Sequence, residues 1–268
     1  MNYYQAVPPI CGGNISLAWA NAFLKCYDEP GGILHSAVVK INTSDDEVSH
    51  ETPELREIVD TQLRSLLKKT SVQSVVETVA GTIFPESIWR LAKGDRHLFY
   101  KEYEKALPFI RRKPANRRGI YFQRLIAFPD HNDETINQLE FIIKTWEQGN
   151  RRHSALQAGI FDPRKDHSNS TRLGFPCLQQ VVFYPNGPHG KEGLSVVAFY
   201  ANQTLAEKAY GNYLGLYRLG LFMAREMGIK LKEVVCIASA LKLSDSGDIN
   251  KTACEPVANA LRAVLKNA

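Results

Sequence analysis

Cys177 follows Pro176 and stands at the mouth of a segment, 179–184, patterned as a strand. A proline before a cysteine removes a backbone donor and fixes the local chain. That arrangement suits a presented nucleophile, and it suits equally a buried thiol, the commoner fate of cysteine. The other cysteines, Cys11, Cys26, Cys236 and Cys254, are scattered, and no CxxC pair occurs. An odd, dispersed set of five suggests neither a zinc site nor a disulfide framework. No metal is therefore expected, and a reducing cytoplasmic setting is. The other chemically loaded stretch is the basic run 111–118, RRKPANRR. It reads as a solvated loop, as a site for a small-molecule phosphate, or as a nucleic-acid patch. Aromatic stacking partners are not interleaved through it, so specific nucleic-acid binding is not expected.

The elements that must position these residues are legible from pattern. The chain has 268 residues, 44% hydrophobic and 23% charged, with a formal charge of +5, as expected of an ordinary globular protein. No apolar run approaches the roughly 20 residues that span a bilayer. The start, MNYYQAVPPICGG, lacks a basic stretch followed by an apolar core, so no secretory signal is expected. Residues 14–25 read as a helix that Asn14 can cap, and 33–41 as a strand. Residues 55–67 and 72–89 read as helical, the second interrupted near Pro85. Residues 94–118 are charged and hold Pro108 and Pro114. Residues 135–148 have the spacing of an amphipathic helix. Strands are predicted over 155–161, 179–184, 194–200 and 234–243, the middle two joined as a hairpin by a Gly- and Pro-rich turn. Residues 206–227 are small or apolar on most sides, the mark of a helix buried at a domain centre. No linker divides the chain, so one α/β (α+β) domain over 1–268 is expected.

Several segments, taken in order, resemble the thymidylate synthase and pyrimidine nucleotide hydroxymethylase family. ESIWRLAKGD, from Glu86 through Trp89 to Asp95, is similar to that family's ELLWFLxGD with one extra residue. Tyr121-Phe122-Gln123-Arg124 resembles a shortened YGxQWR, and Asn137-Gln138-Leu139 resembles DQL in the first turn of a helix. Gly149-Asn150-Arg151-Arg152 resembles the paired arginines that cross a dimer interface to the partner's nucleotide phosphate. Phe161-Asp162-Pro163 resembles WNP, and Gly174-Phe175-Pro176-Cys177 stands where the family has APPC. Gly211-Asn212-Tyr213 and Ser239-Ala240 resemble the family's asparagine helix and the start of SAHIY.

The resemblance implies a thymidylate synthase-like fold, with a mixed sheet and a long buried central helix, working as a homodimer. It implies transfer of a methyl or hydroxymethyl unit to C5 of a pyrimidine nucleotide or related compound, with 5,10-methylenetetrahydrofolate as donor. Cys177 would add to C6, which makes C5 reactive. The thiolate this needs would be favoured by nearby cations, Arg124, Arg151 or Arg152. Glu86 would act in proton transfer through water, and Tyr121 would help remove the C5 proton. Asn212, with Trp89 and the three arginines, would bind substrate; an amide matches uracil's O4 and N3–H.

Plainer readings exist for each. Glu86 beside Pro85 could be a carboxylate favoured at a helix start. Tyr121 could be a strand residue in the core. Asn212 could be satisfied by a backbone carbonyl, and Arg151 and Arg152 could be a solvated helix end.

The sequence also departs from the family. Leu178 rather than histidine follows the cysteine, and Ala201-Asn202-Gln203-Thr204 replaces RSxD with its phosphate-binding arginine. Leu241 and Leu243 replace the histidine and tyrosine that bind the sugar hydroxyl. The folate-closing tail is not recognisable, and 257–265 reads as an amphipathic helix. Losing one clamp arginine removes a charge-assisted bond worth about 1.5–3 kcal/mol. These changes argue against ordinary deoxyuridine monophosphate. They leave a non-catalytic nucleotide-binding or scaffold protein of the same fold as the alternative.

Overall fold

The computed structural model describes residues 8–43, 50–68, 76–130, 132, 134–149, 152–167, 169 and 175–267. Strand β1 (Ile10–Gly12) leads into helix α1 (Ile15–Asp28) and strand β2 (Ile33–Asn42). Asn14 caps α1 as its type predicts, accepting the Leu17 N–H at 2.9 Å. A broken helix follows: α2 (Pro53–Ile58), a π turn (Val59–Leu63) and α3 (Arg64–Lys68). Then come α4 (Val76–Ile83), α5 (Glu86–Leu91), α6 (Arg96–Ile110) and α7 (Tyr121–Ile126). A small ribbon of β3 (Phe128–Pro129) and β4 (Thr135–Ile136) precedes α8 (Gln138–Glu147). The second half runs β5 (Gln157–Gly159), α9 (Pro163–Asp166), β6 (Leu178–Pro185), β7 (Leu194–Tyr200) and β8 (Gln203–Thr204). A π turn (Leu205–Ala209) opens α10 (Tyr210–Glu226), followed by β9 (Leu231–Lys242) and α11 (Lys251–Asn267).

The strands form one seven-stranded sheet in the order β1-β2-β9-β7-β6-β5, with β8 beside β9. It is mixed: β1 runs parallel to β2 and β7 parallel to β9, while β2–β9, β6–β7 and β5–β6 are antiparallel. The expected hairpin is β6–β7, and α10 is the crossover that makes β7 and β9 parallel. Helix α10 is the buried central helix that its all-round apolar sequence predicts. It lies between the sheet and α4. The approach is close because Gly211 and Gly215 carry no side chain: a Cβ on either would come within 2.8 Å of α4 atoms. Helix α1 packs against β2 on one side and α11 on the other. The buried apolar side chains, Ile120 and Ala155 excepted, form one cluster.

Three elements differ from the sequence expectation. The charged stretch 94–118 contains the 15-residue helix α6, capped by Asp95 through the N–H groups of His97 and Leu98. Its buried Phe99, Tyr100 and Tyr103 lie at helical spacing among charges that hide the stripe. Arg96, at its start, binds Glu140 of α8 and Glu226 of α10, each at 3.0 Å, and so ties three helices together. Tyr121 opens a short helix rather than sitting in a strand. Thr135 and Ile136 belong to the ribbon, and the helix begins at Gln138, with Asn137 as its cap accepting the Glu140 N–H at 3.0 Å. The part of 72–89 before Val76 lies outside the described residues.

The sheet face away from α10 has rows set by register. Val38, Ile237 and Phe199 lie side by side, as do Val235, Val197 and Val182. All six are partly or well exposed, Phe199 to 40%. Polar pairs border them: Lys40 with Glu233, and Gln157 with Gln180.

Candidate functional site

Cys177 sits one residue before β6, half-buried, at the sheet end where β7 and β9 also finish. The Ala201 N–H donates to its carbonyl at 2.9 Å, which places the chain leaving β7 beside it. Gln179 Nε2 donates to the Pro176 carbonyl at 2.6 Å and braces the segment from the other side.

Two predicted residues converge here through Phe175. The Tyr121 ring stacks on Phe175 at 5.2 Å, and the Arg124 guanidinium lies 5.5 Å from the centroid of the same ring. Tyr121 and Arg124 share a face of α7 because they are three residues apart. The Phe175 ring lies flat against Gly119, whose φ of +151° and bare Cα permit the approach. A Cβ there would fall 2.3 Å from the ring. Arg124 is committed elsewhere: Nη2 donates to Asp166 at 2.8 Å and Nη1 to the Ile160 carbonyl at 3.3 Å. It orients α7 and Phe175 rather than lying free for a ligand.

Burial pushes the Cys177 thiol above its ordinary value; Lys208 opposes this, Asp245 adds to it and Lys242 opposes it. Among the described residues, the cations acting on the thiol are Lys208 and Lys242. Asp245 is held between Lys242 Nζ at 2.9 Å and Asn202 Nδ2 at 3.0 Å. Burial likewise raises the Tyr121 phenol, and the Cys177 charge adds to that, while the backbone of Leu178 and Cys177 favours the phenolate. Tyr200, at the end of β7, shares the neighbourhood. Its hydroxyl is buried with no hydrogen-bond partner among the described residues, and burial first, then Cys236, Tyr121, Tyr213 and Cys177, raises it well above the usual phenol value. Lys208, Lys242, Asp245 and Tyr200 carry no local motif, so only the sheet order reveals them as companions of Cys177.

The remaining predicted residues lie in other surroundings. Asn212 is one turn beyond Lys208 on α10, 4% exposed, and its amide has no hydrogen-bond partner among the described residues. Trp89 packs edge-on against Phe99 at 5.2 Å and Phe222 at 5.0 Å, with Arg225 over its ring; it is part of an aromatic cluster. Glu86 accepts from Arg90 Nε at 2.8 Å and lines an open cleft of about 690 Å³ between α4, α5 and α6. Arg152 is exposed at the start of the turn His153–Ala155. Arg151 lies outside the described residues. In the basic run, Lys113 also lines the cleft, and Arg111 donates to Gln123 at 2.9 Å.

No protein-family profile matches the sequence, and no curated protein matches it. The arrangement must therefore be judged on its own chemistry. A thiol, two phenols and two lysines at a sheet end can bind a polar ring, add to it and move a proton. None of Cys177, Tyr121 and Asn212 lines the cleft between α4, α5 and α6.

Proposed function

We propose that the chain has a thymidylate synthase-like fold and acts on a pyrimidine nucleotide or related compound. Cys177 adds to C6 of the ring, in service of one-carbon transfer to C5. In that addition the Sγ–C6 bond forms and the thiol proton is lost to bulk base. The C5=C6 π bond breaks and its electron pair is delocalised onto the C4 carbonyl oxygen. Tyr121 assists removal of the C5 proton by hydrogen-bonding the water that takes it, since its own phenol stays protonated. The observation that carries the reading is the convergence of Tyr121 and Cys177 across Phe175 at a sheet end that also holds the unpartnered hydroxyl of Tyr200.

One observation favours a second reading, a non-catalytic nucleotide binder. Burial disfavours the Cys177 thiolate, and the position of the family's phosphate arginine is occupied by Ala201. A single experiment separates the two. The protein is incubated with 5-fluoropyrimidine nucleotides, with and without methylenetetrahydrofolate, and analysed by mass spectrometry of intact chain and peptides. An adduct on Cys177, absent in Cys177→Ser, supports the enzyme. Saturable binding without an adduct supports the binder, and no binding at all removes both.

The proposal includes a homodimer. Its support is the apolar row Val38, Ile237, Phe199 on a sheet face that no element covers among the described residues, with a polar border, the composition of an interface core and rim. A cytoplasmic setting suits five scattered cysteines. Among the described residues no helix is long and apolar enough to cross a membrane.

A further inference from the structure

The cleft between α4, α5 and α6 plays no part in the chemistry at Cys177. Its floor and walls are apolar at Phe84, Ile88 and Ile110, and its lining carries three cations, Arg90, Lys113 and Arg218, against two carboxylates, Glu77 and Glu86. Two of the cations are pinned. Arg218 grips Glu77 through Nη1 at 2.7 Å and Nη2 at 3.3 Å, and Arg90 holds Glu86 at 2.8 Å. The side chain of Lys113, in the basic run, makes no hydrogen bond or ion pair among the described residues. At about 690 Å³ the cleft has the size usual for a small-molecule site.

Gly81 is the second observation. It lies inside α4 and lines this cleft. After proline, glycine is the poorest helix former, so a mid-helix glycine calls for a reason. The glycines of α10 have one: a Cβ on Gly211, Gly215 or Gly220 would meet a neighbour within 2.8 Å. A Cβ on Gly81 would meet nothing within 4 Å, and its φ is not left-handed. Neither packing inside the protein nor backbone conformation requires it. A bare Cα facing an open cleft is what close approach of a ligand to backbone requires.

From these we infer that the cleft is a second ligand site, which takes a small molecule with a flat apolar body laid over Gly81 and an anionic group held by Lys113. The inference stands apart from the reading of Cys177. It also absorbs the basic run, whose remaining charges Arg111, Arg112, Arg117 and Arg118 are exposed on the adjoining turn and raise the local concentration of anions.

The test uses the full chain and 8-anilinonaphthalene-1-sulfonate, an apolar aromatic dye with one anionic group, read by fluorescence titration. Saturable binding is expected, with displacement by phenyl phosphate or benzoate and not by neutral p-cresol; whichever anion displaces better identifies the group as phosphate or carboxylate. Gly81→Leu fills the cleft and Lys113→Glu reverses its free charge, and each should weaken the dye by about tenfold or more. Cys177→Ser should leave the affinity unchanged. Both cleft variants should unfold at or above the parent's denaturant midpoint or close to it, which separates lost binding from lost fold. Dye affinity unchanged in both variants, as for dye on the open sheet face, would overturn the proposal. So would displacement by p-cresol equal to that by phenyl phosphate.

Discussion

Cys177 is governed by opposing influences. Burial raises its thiol above the ordinary value, Lys208 and Lys242 lower it and Asp245 raises it. Alkylation by iodoacetamide should therefore have its midpoint above the ordinary thiol value of about 8.5. A cation favours the thiolate, so Lys208→Met should move the midpoint higher, and Asp245→Asn should move it lower. Peptide mass spectrometry across pH reads the rate, and a parent midpoint below about 8 would refute the account. Phe175 is the other residue on which the site turns, because it joins Tyr121, Arg124 and Cys177. Gly119→Ala drives a Cβ into its ring. The substitution should cost about 1–3 kcal/mol in urea unfolding and change the Cys177 alkylation rate. A variant with parental stability and reactivity would show that the ring does not hold the site.

At the scale of elements, α4 carries opposite demands on its two sides. Toward α10 it must come close, and Gly215 permits that: a Cβ there would lie 2.8 Å from the Ala80 carbonyl. Toward the cleft it is open at Gly81. Gly81→Ala should thus stabilise the protein by about 0.5–1 kcal/mol, while Gly215→Ala should destabilise it by about 1–3 kcal/mol. Denaturant midpoints of the two variants check this directly, and the same sign for both would contradict the packing described. Helix α6 makes a related point. Arg96 brings together carboxylates from two other helices, so the charge that hides the helix in sequence is what fastens it in the fold.

For the whole molecule, the uncovered sheet face predicts self-association through the row Val38, Ile237, Phe199. Sedimentation at micromolar concentration should give a particle of twice 30.1 kDa. Phe199→Lys, which sets a charge at the centre of the face, should shift it to monomer. A parent that sediments as a monomer would leave the face without this occupant. Acid should weaken the fold in a definite window. Burial opposes charge on Glu77, but Arg218 and Arg56 overcome it and hold the carboxyl below its usual range. Lys40 and Ser195 do the same for Glu233 against its burial. Depressed folded values mean stability that is present above the unfolded carboxylate value of about 4.3 and lost as pH falls through the folded ones. Melting temperature should fall over that range in the parent and less in Glu77→Gln. An equal fall in both would exclude Glu77 as a contributor.

Much of the architecture was legible in the residues because the rules that set it act within a turn or two of chain. The Asn14 and Asn137 caps, the β6–β7 hairpin and the all-round apolar α10 follow from side chains next to the backbone they shape. Cys177 at a strand mouth was legible for the same reason. Tyr121 was named beside it only through the resemblance, and Lys208, Lys242 and Asp245 were not legible at all: they act on the thiol only because β7 and β9 lie side by side, as α7 does on Phe175. The upward push of burial on the thiol was hidden for a like reason: desolvation depends on what surrounds an atom in space, and no spacing along the chain encodes it. The same holds for the cleft, since a glycine within a helix looks alike in sequence whether its Cα meets a neighbouring helix or open space.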